Sequence, residues 1–219
     1  MVGYLESRWR QGKVNVSELH DRIRRCLHPT HQVDTITGDH AVAGLEREER
    51  TLMPAAVLVP LVERPEGLTV LLTQRTAHLE HHAGQISFPG GRAEEHDRSP
   101  VETALREAEE EIGLHRRSVR EIAGFLDLYQ TVTGFLVTPV VGFVEPPFDL
   151  TLDAFEVAEA FEVPLEFVFD PRHHEYRSMH YKGQRRRYYV IPYENRFIWG
   201  ATAAMLVGFA RRLGNPLPP

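Results

Sequence analysis

Residues 105–114, near the middle of the chain, constrain its fold and chemistry most strongly. They contain Glu107, Glu110 and Glu111, whose spacings of three and four residues place them on one face of a helix. Like charges at these spacings repel by roughly 0.2–0.5 kcal/mol per pair, and a cation among them would remove that cost. Glutamate oxygens suit Mg²⁺ or Mn²⁺, which take further ligands from water and substrate phosphates. The pattern therefore predicts a metal site acting on a phosphate compound.

The residues around these glutamates predict where the helix begins and ends. Ser99 and Glu102 have the spacing of a capping box, with Pro100 in the first turn. Gly113 is a typical stop signal, so we expect a helix from about Pro100 to Glu111. Beside the glutamates runs an apolar stripe, which consists of Val101, Ala104, Leu105, Ala108 and Ile112. The carboxylates are thus expected at the edge of a hydrophobic core.

Apolar runs on both sides of this helix predict β-strands. Residues 54–62 and 68–75 are two such runs joined by the turn 64–67, which indicates a hairpin. Residues 122–128 and 136–144 predict further strands. We therefore expect an α/β (α+β) fold in which a mixed β-sheet is sandwiched between helices.

The two ends of the chain have helical patterns. Residues 16–27 carry apolar side chains four apart behind Ser17, and residues 198–213 have helical composition. Residues 29–53 are polar and turn-rich, and residues 153–161 resemble a short helix boundary. We divide the chain into an N-terminal helical extension (1–50), one main domain (51–213) and a flexible tail (214–219).

Composition limits the classes of partner and compartment. The chain has 25 Lys and Arg against 31 Asp and Glu, a formal charge of −6 that gives no overall attraction to nucleic acid or anionic membrane. A single cysteine, Cys26, excludes an internal disulfide and cysteine-based metal sites. No apolar run approaches 18 residues, and the first residues lack the core of a secretory signal. We expect a cytoplasmic protein without nucleic-acid or membrane partners.

Two motifs resemble a known family. Residues 106–114 read Arg-Glu-Ala-Glu-Glu-Glu-Ile-Gly-Leu, which resembles the signature box of Nudix hydrolases. Upstream, Leu71–Arg75 followed by Gly84 and residues 88–91 resembles the extra signature of the coenzyme A pyrophosphatase subfamily. The similarity extends over roughly residues 54–210, and it implies a Nudix fold for the main domain.

The sequence departs from the family pattern at two places that bear on the site. The loop before Arg106 is one residue longer than usual, with Asp97 at the first acidic position of the box. Glu80 stands where the upstream signature has an arginine. If that arginine holds a phosphate of coenzyme A, Glu80 should repel it; if it is structural, nothing follows.

The resemblance assigns roles to the acidic and basic residues of the box. It implies that Glu107, Glu110 and Glu111 hold Mg²⁺ or Mn²⁺ and that Arg106 orients these carboxylates. Glu156 and Glu111 are alternative candidates for the general base.

Four further residues are candidates for substrate binding. The Gly90–Gly91 pair lets backbone approach the metal site closely, and Arg75 belongs to the upstream signature. Arg186 lies in the basic run 185–187 beside two tyrosines and could hold the 3′-phosphate of coenzyme A. The alternative for that run is a solvated strand face.

Other residues have simpler interpretations. The pairs His81–His82 and His173–His174 lack the i, i+4 spacing of helical metal ligands, and we expect no metal there. A stripe near the C-terminus predicts core packing and consists of Phe197, Trp199, Met205 and Leu206.

The resemblance implies hydrolysis of the diphosphate linkage of coenzyme A or its derivatives. The products would be 4′-phosphopantetheine, or its acyl form, and adenosine 3′,5′-bisphosphate. One alternative keeps the chemistry and changes the substrate to another nucleoside diphosphate compound, such as a nucleotide sugar or a dinucleotide. A second alternative is a Nudix module that senses a nucleotide without hydrolysing it. A homodimer is a further expectation, because members of the family are often dimers.

Overall fold

The computed structural model describes residues 16–47, 50–78, 84–181 and 183–214. Glu80, the His81–His82 pair and residues 215–219 of the predicted tail lie outside these ranges. No helix within them is long and apolar enough to cross a membrane.

The strands come in runs that are separated by helices. In sequence the elements are α1 (Val16–Cys26), β1 (Ile36–Gly38), α2 (Asp39–Ala43), β2 (Met53–Arg64), β3 (Gly67–Arg75), β4 (Ile86–Ser87), β5 (Gly90–Arg92), α3 (Pro100–Ile112), β6 (Val119–Phe125), β7 (Leu128–Gln130), β8 (Phe135–Val144), β9 (Val157–Pro164), α4 (Leu165–Phe169), β10 (Glu175–Tyr181), β11 (Gln184–Tyr193), β12 (Arg196–Trp199) and α5 (Gly200–Gly214).

Nine of the strands form one mixed sheet, and the other three form a small antiparallel sheet. The main path runs β1-β7-β8-β2-β3-β4, with β5, β6 and β9 pairing to β2, β8 and β3. β2 and β3 form the predicted antiparallel hairpin, while β2 runs parallel to β8 from Met53 opposite Phe135 to Val62 opposite Val144. The small sheet has the order β10-β11-β12.

The large sheet separates two hydrophobic clusters, as alternation along β2 shows. Val59 and Leu61 pack with α1 and α5, whereas Leu58 and Val62 pack with α3. Successive side chains of a strand point to opposite faces, so α3 covers one face and α1 and α5 cover the other. The predicted mixed sheet sandwiched between helices is confirmed.

The first and last described helices contact each other. Leu19 and Ile23 of α1 are buried in the same cluster as Phe209 of α5. The Arg212 Nε donates a hydrogen bond of 2.8 Å to the carbonyl of Cys26. The predicted N-terminal helix is therefore present and packs directly on the C-terminal helix.

Two predicted segments differ from the structure. Residues 29–53, predicted as turn-rich, also contain β1 and α2, and residues 153–161 lead into β9 rather than a short helix. The helical prediction at 153–161 was wrong because acidic residues hide the strand pattern. Glu159 and Glu162 are neutralised there by ion pairs with arginines of other elements.

The predicted core stripe near the C-terminus is only half buried. Met205 and Leu206 are buried as predicted, but Phe197 is 54% exposed and Trp199 is 37% exposed, so the core assignment was wrong for these two. Both aromatic side chains lie on β12 and contact neighbours on the same small sheet. The Arg177 guanidinium lies 5.5 Å from the Phe197 ring centroid.

Candidate active site

The helix that carries the glutamates is α3, and its ends are fixed locally. The Ser99 hydroxyl accepts a hydrogen bond from the Glu102 N–H at 3.3 Å, and Pro100 occupies the first turn. Gly113 follows Ile112 with φ 66°, a left-handed conformation that ends the helix. The predicted Ser99 cap and Gly113 stop are confirmed, whereas the Glu102 carboxylate accepts from the Arg98 N–H at 2.8 Å rather than completing a capping box. α3 therefore presents its glutamates from a rigid element.

A bidentate ion pair with Asp97 holds Arg106, which lies on the same helix as the glutamates. Arg106 donates from Nε to Asp97 Oδ1 at 3.1 Å and from Nη2 to Asp97 Oδ2 at 2.9 Å. The Asp97 side chain is 3% exposed and also accepts from the Thr103 hydroxyl and the Glu94 N–H. Hydrogen bonds from Arg106 hold the pKa of Asp97 far below its usual range. Although the loop is one residue longer than usual, it still places Asp97 beside Arg106. Asp97 was absent from the predicted site residues, and its position in the signature box is the sequence feature that could have identified it.

Arg106 also reaches two of the three predicted metal ligands. Its Nη1 donates to Glu107 Oε1 at 2.9 Å and to Glu110 Oε2 at 3.0 Å. The charge repulsion expected along this helix face is therefore offset by a guanidinium from the same helix. Glu110 is the most open of the three, with its side chain 61% exposed.

Two glycines allow the backbone of β5 to approach these carboxylates. A Cβ added to Gly91 would lie 2.5 Å from the carboxyl carbon of Glu107. A Cβ on Gly90, which has φ 154°, would lie 2.5 Å from the carbonyl oxygen of Ala56 on β2. The packing of β5 on β2 thus requires glycine at position 90, whereas a side chain at position 91 would displace the Glu107 carboxylate.

Glu111 is the buried member of the group. It is 7% exposed, and its Oε2 accepts a hydrogen bond from the Gly90 N–H at 3.1 Å. Burial raises the pKa of Glu111 to about 7, and the Gly90 hydrogen bond only partly opposes this effect. Burial also raises the pKa of Glu107. Ionised carboxylates here need a positive partner.

Arg75, at the end of β3, connects Glu111 to Glu156. Its Nη1 is 3.7 Å from Glu111 Oε1, and its Nη2 is 3.6 Å from Glu156 Oε2. The pairing of β3 with β9 shifts register between Gln74 and Arg75, and such a bulge re-aims the side chain. The Arg75 Nε is buried and has no hydrogen-bond partner within the described part of the chain. Arg75 thus attracts two carboxylates without being locked to either.

Glu156 reaches this place through a tight turn before β9. Its N–H donates to the Asp153 carbonyl at 3.0 Å, and its own carbonyl accepts from the Thr76 N–H at 2.9 Å. The Asp153 N–H in turn donates to the carbonyl of Glu111 at 2.9 Å. The end of α3, the end of β3 and the start of β9 therefore meet at one point.

The remaining predicted residues lie elsewhere. Arg186 is on β11, opposite Met179 in the small sheet, which does not pair with the large sheet. His173 and His174 contact the backbone carbonyls of Phe167 and Val168 at 2.9 and 2.7 Å. The structure therefore groups Arg75, Gly90, Gly91 and the glutamates, but places Arg186 on a different sheet.

The donor set fits a hard divalent ion by its chemistry, although the side chains are not arranged around one. Across residues 16–47, 50–78, 84–181 and 183–214, no three His, Cys, Asp or Glu side chains are grouped to hold a metal. Arg106 and Arg75 account for this, because Arg106 draws Glu107 and Glu110 toward itself in addition to Asp97, and Arg75 lies between Glu111 and Glu156. The donors are nevertheless oxygens, and the ionised form of buried Glu111 calls for a nearby cation.

Comparison with known proteins identifies the family. The NUDIX domain family model matches residues 52–183, which include the whole carboxylate group. The chain is 43% identical over 161 residues to the uncharacterized Nudix hydrolase NudL of Pectobacterium atrosepticum, covering 74% of this chain and 83% of that one. It is 40% identical over 171 residues to the NudL of Escherichia coli K12, covering 78% and 88%. Among solved structures, the MutT protein of Methanosarcina mazei Go1 is 25% identical with a TM-score of 0.44, covering 56% of this chain and 84% of that one. The chain belongs to the Nudix hydrolase family.

Proposed function

We propose that this Nudix hydrolase cleaves the diphosphate linkage of coenzyme A or its derivatives in the presence of Mg²⁺ or Mn²⁺. The products are 4′-phosphopantetheine, or its acyl form, and adenosine 3′,5′-bisphosphate. The observation that carries the proposal is the position of Arg75, because it joins the two motifs in space. Arg75 ends the motif similar to the coenzyme A signature, and its guanidinium lies within 3.7 Å of Glu111 in the Nudix box.

Three acidic residues of α3 are the proposed metal ligands, and Arg106 and Asp97 position them. Glu107, Glu110 and Glu111 would hold the divalent ion, which supplies charge neutralisation on the phosphates and activation of water. Arg106 fixes Glu107 and Glu110 through hydrogen bonds, and Asp97 fixes Arg106. Arg106 is thus a positioning residue.

The substrate side of the site is formed by Arg75 and the β5 backbone. The contacts from Arg75 to Glu111 and Glu156, at 3.7 and 3.6 Å, are longer than hydrogen bonds. Its N–H groups therefore remain available for phosphate oxygens, for which a guanidinium is a suitable partner. Gly90 and Gly91 keep the space beside Glu107 free of side chains. We assign Arg186 to the 3′-phosphate as a separate hypothesis.

Glu111 and Glu156 are the two candidates for the general base. Glu111 is buried with a pKa of about 7, whereas Glu156 lies at the rim of the site and its side chain is 42% exposed. A base near neutral pH is efficient in proton transfer, which favours Glu111 when it is not a metal ligand. Loss of turnover in Glu156→Gln with unchanged metal affinity would assign the role to Glu156 instead.

The test is product analysis by chromatography after incubation with Mg²⁺ or Mn²⁺. The substrate panel contains coenzyme A, NADH, ADP-ribose and a diadenosine polyphosphate. We expect adenosine 3′,5′-bisphosphate from coenzyme A faster than any other turnover. Glu110→Gln should abolish it, whereas Glu109→Gln, a matched change on the same helix outside the group, should not. Turnover of another substrate alone would replace coenzyme A by a different nucleoside diphosphate compound, and no turnover with either metal would favour a sensing module.

We further propose that the protein works in the cytoplasm, on a small-molecule nucleotide substrate, as a homodimer. The single buried Cys26 supports a reducing compartment. Size-exclusion chromatography with light scattering tests the dimer.

A further inference from the structure

A cavity of about 210 Å³ lies on the side of the large sheet opposite to the carboxylates. Its wall includes Leu126, Met205 and Phe209, all of which belong to the hydrophobic cluster of α1 and α5. The α3 helix packs in the other cluster, on the far face of the sheet. The cavity is therefore separated from the hydrolytic site by the full thickness of the sheet.

One wall of the cavity is aromatic. Tyr176 and Tyr189 have ring centroids 5.1 Å apart, and together with Met205 and Phe209 they provide flat apolar surface. The Tyr176 hydroxyl donates to the carbonyl of Val42 on α2, which also lines the cavity. The shape and surface suit a flat apolar group.

The cavity wall also carries two guanidinium groups, from Arg211 and Arg212 of α5. Arg211 donates to the Tyr189 hydroxyl at 2.8 Å. Arg212 donates to Asp127 and to the Cys26 carbonyl, yet its Nη2 is buried without a hydrogen-bond partner in the described structure. A buried donor on a cation is costly to leave unpaired, and an anion in the cavity would satisfy it.

Asp127, the one carboxylate among the described residues that line the cavity, is already neutralised. Its Oδ1 is 2.8 Å from His28 Nε2 and also accepts from Arg212. Of the two guanidiniums, Arg211 therefore has no carboxylate on the cavity wall left to balance it. The net positive charge of Arg211, Arg212 and Asp127 together favours a monoanion in the cavity.

Gly208 keeps the cavity open. It lies in the middle of α5, lines the cavity, and has no atom within 4 Å of the position that a Cβ would take. Alanine at such a helix position is more stable than glycine by roughly 0.5–1 kcal/mol and would meet no obstacle here. A side chain larger than a methyl group at this position would extend into the cavity.

We propose that this cavity is a second ligand site that binds a small monoanion with a flat apolar body, the chemistry of an aromatic carboxylate. A cavity of roughly 150 Å³ holds benzene, so 210 Å³ has room for a ring and a carboxylate. The carboxylate faces Arg211 and Arg212, and the ring lies against Tyr176 and Tyr189.

The experiment is isothermal titration calorimetry of the full chain with benzoate, in EDTA so that no metal is present at the carboxylates. Benzamide, which has the same shape without the charge, is the control ligand. We expect one saturable site for benzoate and at least about tenfold weaker binding of benzamide. No saturation by about 10 mM benzoate, or equal affinity for the two ligands, would overturn the proposal.

Variants locate the bound probe. Arg211→Gln, an exposed change, should weaken benzoate binding by about fivefold or more, and Gly208→Leu should fill the cavity and abolish binding. Gly208→Ala adds a single methyl group and should keep binding with an equal or higher melting temperature. Glu110→Gln, on the far face, should bind benzoate as the wild type does. Undiminished binding in folded Gly208→Leu and Arg211→Gln, or loss of binding in Glu110→Gln, would place the probe elsewhere and refute the site.

Discussion

The buried carboxylate of Glu111 predicts how the metal-free protein responds to pH. Its folded-state pKa is about 7, against a usual glutamate value of 4.5. The folded state therefore binds the proton more tightly than the unfolded state does. The stabilisation is fully present below pH 4.5 and is lost as pH rises through about 7. At about 1.36 kcal/mol per pKa unit, the loss amounts to about 3 kcal/mol.

The Glu111→Gln variant isolates this contribution, because glutamine keeps an acceptor for the Gly90 N–H and does not ionise. Urea unfolding in EDTA, followed by circular dichroism at pH 4.5 and pH 8, measures the free energy of unfolding of both proteins. Between pH 4.5 and pH 8, the free energy of unfolding of the wild type should fall by about 3 kcal/mol relative to that of the variant. Glu109→Gln, a change at a partly exposed position on the same helix, should behave as the wild type.

Addition of Mg²⁺ or Mn²⁺ at pH 8 should restore the wild type and leave Glu111→Gln less affected, because a bound cation favours the ionised carboxylate. Parallel pH profiles for the wild type and Glu111→Gln would refute the reasoning. Such a result would mean that Glu111 is ionised in the folded metal-free protein at no cost, as if Arg75 alone neutralised it.

Four other perturbations test the site. Gly91→Ala should lower kcat/KM at least about tenfold with little change in the urea midpoint, because the added methyl group displaces only the flexible Glu107 carboxylate. Gly90→Ala should instead lower the free energy of unfolding by about 2 kcal/mol or more, because the added methyl group clashes with the backbone of β2. Asp97→Asn should lower the free energy of unfolding by about 2–3 kcal/mol at pH 7 relative to the wild type. Acid unfolding curves should show this difference shrinking as the pH falls through the depressed pKa of Asp97. Removal of metal by EDTA should abolish turnover in the product assay, and Mg²⁺ or Mn²⁺ should restore it.

The parts of the fold that the sequence predicts well are fixed by neighbouring residues. The caps of α3 act within four residues, and the β2–β3 hairpin depends on a turn of a few residues. β9 escaped prediction because its acidic residues are neutralised at long range: Glu162 pairs with Arg64, 98 residues away, and Glu159 with Arg196, 37 residues away. No local pattern contains those partners.

The same distinction applies to the site. The three glutamates share one face as their spacing predicts, and the family resemblance anticipated an ion pair from Arg106 to this group, but the contact of Arg75 with Glu111 was not anticipated. Arg106 is local, and its hydrogen bond to Glu110 four residues on follows from helix geometry. Arg75 comes from another strand and reaches Glu111 only after the sheet has formed. Spacing also cannot tell which face of a small sheet is covered, which is why Phe197 and Trp199 were assigned to the core.

The contact between α1 and α5 sets the order of events as the chain is made. The apolar face of α1, with Leu19 and Ile23, has to wait until Phe209 has been synthesised before it can be covered from that side. At roughly 5–20 residues per second, that wait is on the order of 10–40 s, during which an amphipathic helix carries exposed apolar side chains. A chaperone that holds nascent amphipathic helices should therefore engage this protein at α1 and release it when α5 emerges.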